Sequence, residues 1–308
     1  MRNVNDFLNT LPFDLYELSL FHLVVKHRSF TKAAEVAGLT QSAITRQMQG
    51  MEDSLGIDLL ERTTRSVRVT QAGEFLYSES AKLLGDVDNS LRRLKEDYAN
   101  SRKEIRIGVS RSIGLAYLPG FFHANLRKGL KASYRVAYQP SADILSALEA
   151  NELDLGVLCP PPRLPKTLIV THRFTDAFTF IASSEAAAGF QTLPKSKTAR
   201  LAWLQRQSWL LPEESTNTGR ELRQWMSRSG LKIEPAMQLD SFDLIITLVS
   251  LGLGISFVPK RALALYGQKK NLVRVHLPDE FKRELVVLMR KHRKQPKHLT
   301  DFVENILF

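Results

Sequence analysis

The spacing of apolar residues near the start of the chain predicts one helix, and the residues after it predict two more. Over about 14–26 the apolar positions recur every three or four residues, as on one face of a helix. These positions are Leu15, Leu18, Phe21, Leu23, Val24 and Val25. Between 29 and 48 the pattern predicts two further helices joined at Gly38, whose backbone tolerates the positive φ of a tight turn. The order is that of a helix-turn-helix.

The second helix of this pattern follows the N-cap candidate Thr40 and has an apolar and a polar face. Ile44, Met48 and Met51 are expected to point inward. Gln and Arg can form paired hydrogen bonds with adenine and guanine edges, and hydroxyls can reach phosphates or bases, so the polar face suits the major groove. Its residues are Gln41, Ser42, Thr45, Arg46 and Gln49. An ordinary pair of packed helices with a solvated face fits the spacing equally well.

Two short strands are predicted next, at 59–62 and 67–70, with a turn at 63–66. Arg62, Arg65 and Arg68 gather at this hairpin. A basic hairpin beside a helix-turn-helix is a wing that contacts phosphates or the minor groove, although three arginines can also be merely solvated. With the N-cap candidates Ser29 and Thr31 of the preceding helix, these arginines complete the predicted DNA-binding residues.

From the N-cap candidate Thr70 to about Ala99 the chain has no proline and repeats every seven residues. Such a repeat predicts an a/d seam through which two long helices pair. The apolar seam positions are Tyr77, Leu84, Val87, Leu91, Leu94 and Tyr98, interrupted by Ser80. A long amphipathic helix packed on its own domain is the alternative.

After Glu104 short apolar strands alternate with helices, which predicts an α/β fold with a parallel sheet. Strands are expected at 105–109, 134–138 and 153–158, then at 178–182, 209–211, 233–239 and 254–258. Strands at 272–275 and 285–289 and a helix at 298–307 end the chain.

Ligands of open parallel sheets bind beyond the carboxyl ends of the strands. Ser110 and Ser112 follow the first of these strands, and Ser141 follows the second, where helices begin. Hydroxyls and backbone N–H groups at such positions can hold an anion, although a serine there is more often only a cap. Cys159 follows the third strand and, as the single cysteine, is expected to be a buried thiol rather than a redox centre.

The charge of +11 suggests an anionic partner, but its distribution does not point to the N-terminal region. Residues 1–98 hold 12 basic and 14 acidic residues, which leaves 31 and 18 for the rest, so the net charges are −2 and +13. No disulfide framework, metal-ligand spacing or catalytic motif is visible, so neither an enzyme nor a cofactor is expected. The apolar runs are too short to cross a membrane, and the expected location is the cytoplasm.

The stretch from Leu15 to Leu76 resembles the winged helix-turn-helix of LysR-type transcriptional regulators. The residues that carry the resemblance include Ser29-Phe30-Thr31, Ala33-Ala34, Gln41-Ser42-Ala43-Ile44-Thr45, Leu59-Leu60-Glu61-Arg62 and Ala72-Gly73. Ser42 stands where the family usually has proline, and Thr45 where it usually has serine. Further on, 105–108, 153–156 and 252–259 are similar to recurrent points of the family's effector domain.

The resemblance implies a winged domain at 13–70, a dimerising linker helix at 71–99 and an effector-binding domain at 104–308. That domain would have two Rossmann-like α/β lobes of the periplasmic-binding-protein type, 104–177 with 275–308, and 178–274. Ser112 and Ser141 match positions that often touch an effector in the family. Candidates by loop position alone are Ser215, Asn217 and Phe257.

The implied partners are double-stranded DNA, a small and anionic effector, further copies of the chain as a homodimer or homotetramer, and RNA polymerase. A solute-binding module without regulatory output is the second hypothesis.

Overall fold

The computed structural model describes residues 11–62, 67–99, 103–127, 132–194, 196–264, 271–277, 280–291 and 297–304. The chain divides into two compact units, 1–100 and 101–308. No helix within the described residues is both long and apolar enough to cross a membrane.

Three helices form the body of the first unit: α1 (Leu15–His27), α2 (Phe30–Ala37) and α3 (Gln41–Leu55). Each follows an N-cap side chain, of Asp14, Ser29 or Thr40, that accepts a hydrogen bond from a backbone N–H of the first turn. Gly38 ends α2 with φ at +67°. The predicted helix-turn-helix is thus confirmed, and Ser29 rather than Thr31 caps α2.

The wing is an antiparallel hairpin of β1 (Leu60–Arg62) and β2 (Val67–Val69). A side chain of α3 holds its first strand. The carboxylate oxygen Oε1 of Glu52, which is 5% exposed, accepts hydrogen bonds of 2.8 Å from the backbone N–H groups of both Leu59 and Leu60. The first strand of the wing is therefore fixed to α3.

The long helix α4 (Gln71–Tyr98) begins after the N-cap Thr70, close to the predicted bounds. Its first half packs on the core of the three helices, through Tyr77 and Leu84 among others. Ser80 is 2% exposed, and its hydroxyl lies 2.6 Å from Nε2 of His22 on α1. The first half of α4 thus packs as part of the first unit, 1–100, which we call the winged unit.

The second unit begins with the predicted parallel strands β3 (Glu104–Val109), β4 (Ser133–Tyr138) and β5 (Leu155–Leu158), with β3 in the middle. The helices α5 (Arg111–Arg127) and α6 (Ser141–Glu149) follow the first two strands. Helix α5 begins directly after its strand. Two apolar clusters, one containing Ile107 and the other Ile144, form the core of this first lobe.

The strand β6 (Leu168–Ser183) is much longer than the predicted 178–182. Its first part, 168–177, pairs antiparallel with the late strand at 282–290, and its second part pairs with other strands. The first part is only half-buried and alternates with polar residues such as Thr171 and Arg173, so its apolar signal is weak. One continuous strand therefore runs through both lobes.

The second lobe has its own core and is built from elements that follow this strand. They are α7 (Ser184–Gln191), α8 (Lys197–Gln205), β7 (Leu210–Pro212), α9 (Asn217–Arg228), β8 (Met237–Leu239), α10 (Phe242–Ser250), β9 (Ser256–Pro259), α11 (Lys260–Ala264) and β10 (Leu272–Val275). The chain then returns to the first lobe with β11 (Lys282–Arg290) and α12 (Lys297–Glu304). The predicted strand 233–239 is shorter than expected and begins at Met237, and the Ile233 carbonyl accepts a hydrogen bond of 2.6 Å from Nη1 of Arg223.

Candidate functional site

The five polar residues of α3 that were predicted to contact DNA lie together. Gln41, Ser42, Thr45, Arg46 and Gln49 line one shallow depression on the surface of α3. On the opposite face Ile44, Met48 and Met51 are at most 1% exposed. Local bonds restrain the polar face: the Thr45 hydroxyl donates to the Gln41 carbonyl at 2.9 Å, and Gln49 donates to Asp53 at 3.0 Å. The Arg46 side chain is exposed.

The other predicted DNA-binding residues differ in exposure and in bonding. The Ser29 hydroxyl accepts the Lys32 N–H at 3.3 Å as the cap of α2, while Thr31 beside it is exposed. Arg68 on β2 is exposed opposite Glu61. The backbone of Arg62 closes the hairpin opposite Val67. Arg65 lies outside the described residues.

The predicted seam on α4 divides into two parts. Tyr77 and Leu84 contact the winged unit's own core. The four seam residues that follow are exposed at 40, 54, 56 and 84%: Val87, Leu91, Leu94 and Tyr98. The seam residues left uncovered therefore lie in the second half of the helix, while Phe75 and Leu83 of the first half are exposed off the seam.

A cavity of about 540 Å³ opens where the strands of both lobes end. Ser110, Ser112 and Ser141 line it from the first lobe, and Ser215 and Asn217 line it from the second. The structure thus brings five of the six predicted effector-binding residues to one place. A volume of this size is typical of small-molecule sites.

Phe257 is the exception, and it does not line the cavity. It is 2% exposed and lies in the aromatic core of the second lobe, with its ring centroid 5.5 Å from that of Trp209 and 5.1 Å from that of Trp225. It was a candidate by loop position alone, but the structure places it in β9 with its ring in this core. Phe257 stabilises the second lobe and is withdrawn as an effector contact.

Two polar contacts link the lobes at the cavity. Nδ2 of Asn217 donates to the Cys159 carbonyl at 2.8 Å. Arg111, the first residue of α5, forms an ion pair with Asp240 after β8, with 3.1 Å between Nη1 and Oδ2. Arg220 is held in the second lobe, because it donates to the Ser215 carbonyl at 2.7 Å and to Asn217. Asn217, Arg111, Asp240 and Arg220 of the cavity wall are therefore each bonded to another protein group.

A buried arginine behind the cavity was missed by the sequence analysis. The side chain of Arg283 on β11 is 0% exposed and pairs with Asp176, with 2.8 Å between Nη2 and Oδ2. Its Nη1 donates to the hydroxyls of Thr218 at 2.7 Å and of Ser112 at 3.2 Å. The guanidinium also lies 5.2 Å from the ring centroid of Phe178. Arg283 thus connects the first lobe to the start of α9 in the second.

Burial controls the ionisable groups beside this arginine. It raises the pKa of the Cys159 thiol to about 12, and Glu221 adds to the effect. Burial also raises the pKa of Glu221. The pKa of Tyr117 is raised for the same reason, and its hydroxyl bonds to Asp176. Cys159 is therefore a protonated thiol at neutral pH, with little of the thiolate that redox chemistry needs.

In the winged unit, burial lowers the pKa of His22 to about 4, and the nearby charge of Lys26 contributes. The imidazole stacks on Tyr77 with 4.4 Å between ring centroids. A neutral histidine therefore lies in the contact between α1 and α4. Across the described ranges, no group of three or more His, Cys, Asp or Glu residues is placed to hold a metal ion.

Both units of the chain match models of the same protein family. Residues 15–74 match the family model of the bacterial regulatory helix-turn-helix protein, lysR family, and residues 99–307 match the LysR substrate binding domain. The HTH-type transcriptional regulator BenM of Acinetobacter baylyi (strain ATCC 33305 / BD413 / ADP1) is 31% identical over 277 residues, 86% of each chain. The RuBisCO operon transcriptional regulator of Allochromatium vinosum is 25% identical over 301 residues, 95% of each chain.

Solved structures share the fold over nearly the whole length. The crystal structure of CbnR, a LysR family transcriptional regulator, matches with a TM-score of 0.67 at 20% identity and covers 96% of this chain and 98% of that one. Full-length CbnR complexed with its target DNA matches with a TM-score of 0.64 at 22% identity, over 96% and 99%. Because a DNA-binding and a substrate-binding domain occur in one chain, a solute-binding module alone finds no support. The chain belongs to the LysR family of DNA-binding, effector-responsive transcriptional regulators.

Proposed function

We propose that α3 reads base edges in the major groove of a two-fold DNA site, through the five polar residues of its exposed face. The observation that carries this proposal is the division of α3 into that face and a fully buried apolar face. Thr31 and the wing arginines Arg62, Arg65 and Arg68 contact the phosphate backbone or minor groove, and Ser29 positions α2 beside it.

Few charges support this binding. The predicted winged domain, 13–70, has seven basic and seven acidic residues, so it has no net charge. Affinity therefore rests on a few arginines, on helix N-termini and on the joining of two winged domains. The proposed division of the rest is a linker helix at 71–99 and an effector domain at 104–308, with lobe boundaries at 177/178 and 274/275.

The test is a footprint on the DNA upstream of the chain's own coding region, at physiological salt. We expect protection of a roughly two-fold site, and we expect Arg46→Ala to need a higher protein concentration for the same protection. Lys32→Ala, on an exposed position of α2, is the control for loss of charge alone. Folded protein without a protected site would contradict the proposal.

We also propose that the exposed half of α4 pairs two chains, with a homotetramer formed from two such dimers. Leu91→Asp together with Leu94→Asp should then give monomers in sedimentation, because charge in an a/d seam opposes its pairing. Leu83→Asp is a matched control, since Leu83 is also exposed, at 61%, but lies off the seam. An unchanged mass of the double variant would remove this assignment.

The cavity is proposed as the effector site, with the α5 and α6 helix starts holding an anionic group of the ligand through Ser110, Ser112 and Ser141. Ser215 and Asn217 complete the site from the second lobe. Ser141→Ala should weaken the effector response and leave DNA binding intact, since the N-cap of α6 is Pro140 and Ser141 is its first helical residue. An intact response would place the effector elsewhere.

We propose that the protein is located in the cytoplasm, where its DNA lies. We propose RNA polymerase as a further partner at the promoter. The protein performs no catalysis of its own in this scheme. The effector acts by binding one arrangement of the two lobes more tightly than another.

A further inference from the structure

The charges on the cavity wall are divided between the lobes. Arg111 is the charged residue of the first-lobe wall, together with the N-termini of α5 and α6. The second-lobe wall carries Glu213, Asp240 and Arg220, so its net charge is −1. The two walls therefore have opposite polarity.

From this polarity, and resting on the proposal that the cavity is the effector site, we propose that the effector is a zwitterion, an amino acid. Its carboxylate binds at Arg111 and the helix starts of the first lobe. Its ammonium group binds at Asp240 and Glu213 of the second lobe.

The Arg111–Asp240 ion pair is suited to exchange. Its two side chains are 63% and 52% exposed, and exposed pairs contribute little to stability, so breaking this one costs little. A zwitterion replaces this pair with two new ones, and it then joins the lobes at the point where the pair joined them. A simple carboxylate would take Arg111 and leave Asp240 without its present partner.

One polar group in the cavity wall, the side-chain amide of Gln139, has an oxygen that is unbonded among the described residues. Gln139 lines the cavity, and its Oε1 is buried without a hydrogen bond in the described part of the chain. A buried acceptor of this kind gains from a ligand N–H group. The apolar residues Leu145 and Tyr138 remain in the wall for the side chain of the amino acid.

The test uses the full-length protein and two matched ligand panels: the standard L-amino acids, and the carboxylic acids that lack only the amino group. Binding is followed by tryptophan fluorescence. The three tryptophans of the chain, Trp203, Trp209 and Trp225, all lie in the second lobe. We expect an amino acid to bind at least about tenfold more tightly than its carboxylic acid, since a lost charged hydrogen bond is worth roughly that factor.

Variants separate the ligand role of the pair from its role between the lobes. Asp240→Asn should raise the Kd of the amino acid about tenfold and that of the carboxylic acid little. The double exchange Arg111→Asp with Asp240→Arg keeps an ion pair but reverses both walls, and it should still lose amino-acid binding. Arg135→Gln is the control, since it breaks an exposed pair with Glu104 outside the cavity.

Carboxylic acids that bind as tightly as the amino acids would overturn the zwitterion and leave the effector site in place. Amino-acid binding that the double exchange preserves would show that the pair only ties the lobes, and would also overturn it. Absence of binding from both panels would overturn the zwitterion, whereas binding that Ser141→Ala leaves unchanged would instead contradict the effector site itself.

Discussion

The DNA-reading face of α3 and the wall of the cavity are both polar, but their side chains are bonded differently. On α3 the side chains bond to groups of the same helix, as Gln49 does to Asp53, or extend into solvent. In the cavity the side chains bond across the lobes, as Asn217 does to Cys159 and Arg283 does to Thr218.

This difference indicates two kinds of recognition. The α3 face gains contacts when DNA arrives, so the loss of one side chain should remove one contact. The cavity already holds its contacts, and an effector must replace some of them. The loss of one side chain there should change the relation of the lobes before any ligand binds.

The largest effect is expected from Arg283→Ala. It leaves Asp176 as an unpaired buried charge, and breaking such a pair costs about 3–5 kcal/mol. Urea unfolding followed by tryptophan fluorescence measures the second lobe, which Arg283 joins to the first. Arg173→Ala is the matched control, because it removes an exposed pair with Glu284 between the same two strands. Similar small losses in both variants would make the buried bonds no different from exposed ones.

The α3 face should lose affinity one contact at a time. Arg46→Ala or Gln41→Ala should each cost about 1–3 kcal/mol at one base pair, which can be measured on single-base variants of the protected site. Arg68→Ala on the wing should instead weaken all sequences alike. Uniform weakening by the α3 variants would contradict base reading.

His22 gives a smaller effect that depends on pH. Its folded pKa of about 4 lies below the ordinary value of 6.5, so the unfolded state binds the proton more readily. Stability of the winged unit should be full above about pH 6.5 and decline as the pH falls toward 4. His22→Gln cannot take up this proton and should remove that part of the decline in thermal unfolding followed by helical circular dichroism. An identical decline in both proteins would show that His22 does not titrate in this contact.

The smallest effect concerns Cys159, whose pKa of about 12 keeps it a thiol. Iodoacetamide should label the native chain at neutral pH far more slowly than the chain in urea, as mass spectrometry can record. Peroxide should accordingly leave DNA binding unchanged. Rapid labelling of the native chain would show that the cavity wall is open at this residue.

The sequence predicted the features that depend on neighbouring residues. Thr40 and Thr70 are N-caps because the hydrogen bonds they accept come from residues three positions away, which a local pattern can show. The serines of the cavity were predicted because the ends of parallel strands meet at one edge of a sheet.

Features that depend on distant residues were not predictable. Arg283 and Asp176 are 107 positions apart, and nothing in either local pattern indicates their pairing. Phe257 illustrates the same limit, since a loop position does not fix which face of a strand a side chain occupies. The seven-residue repeat of α4 predicted an apolar stripe, but a repeat cannot specify that Tyr77 and Leu84 are covered by their own subunit.

The continuous strand β6 limits how the two lobes can move. Its backbone hydrogen bonds to β11 on one side of Phe178 and to β9 and β10 on the other hold it along its whole length, so it cannot behave as a slack tether. Relative rotation of the lobes would therefore twist this strand rather than open at a flexible linker. A ligand that joins the two walls of the cavity would set the twist of β6. The strands paired with β6 in both lobes would then follow that change in orientation.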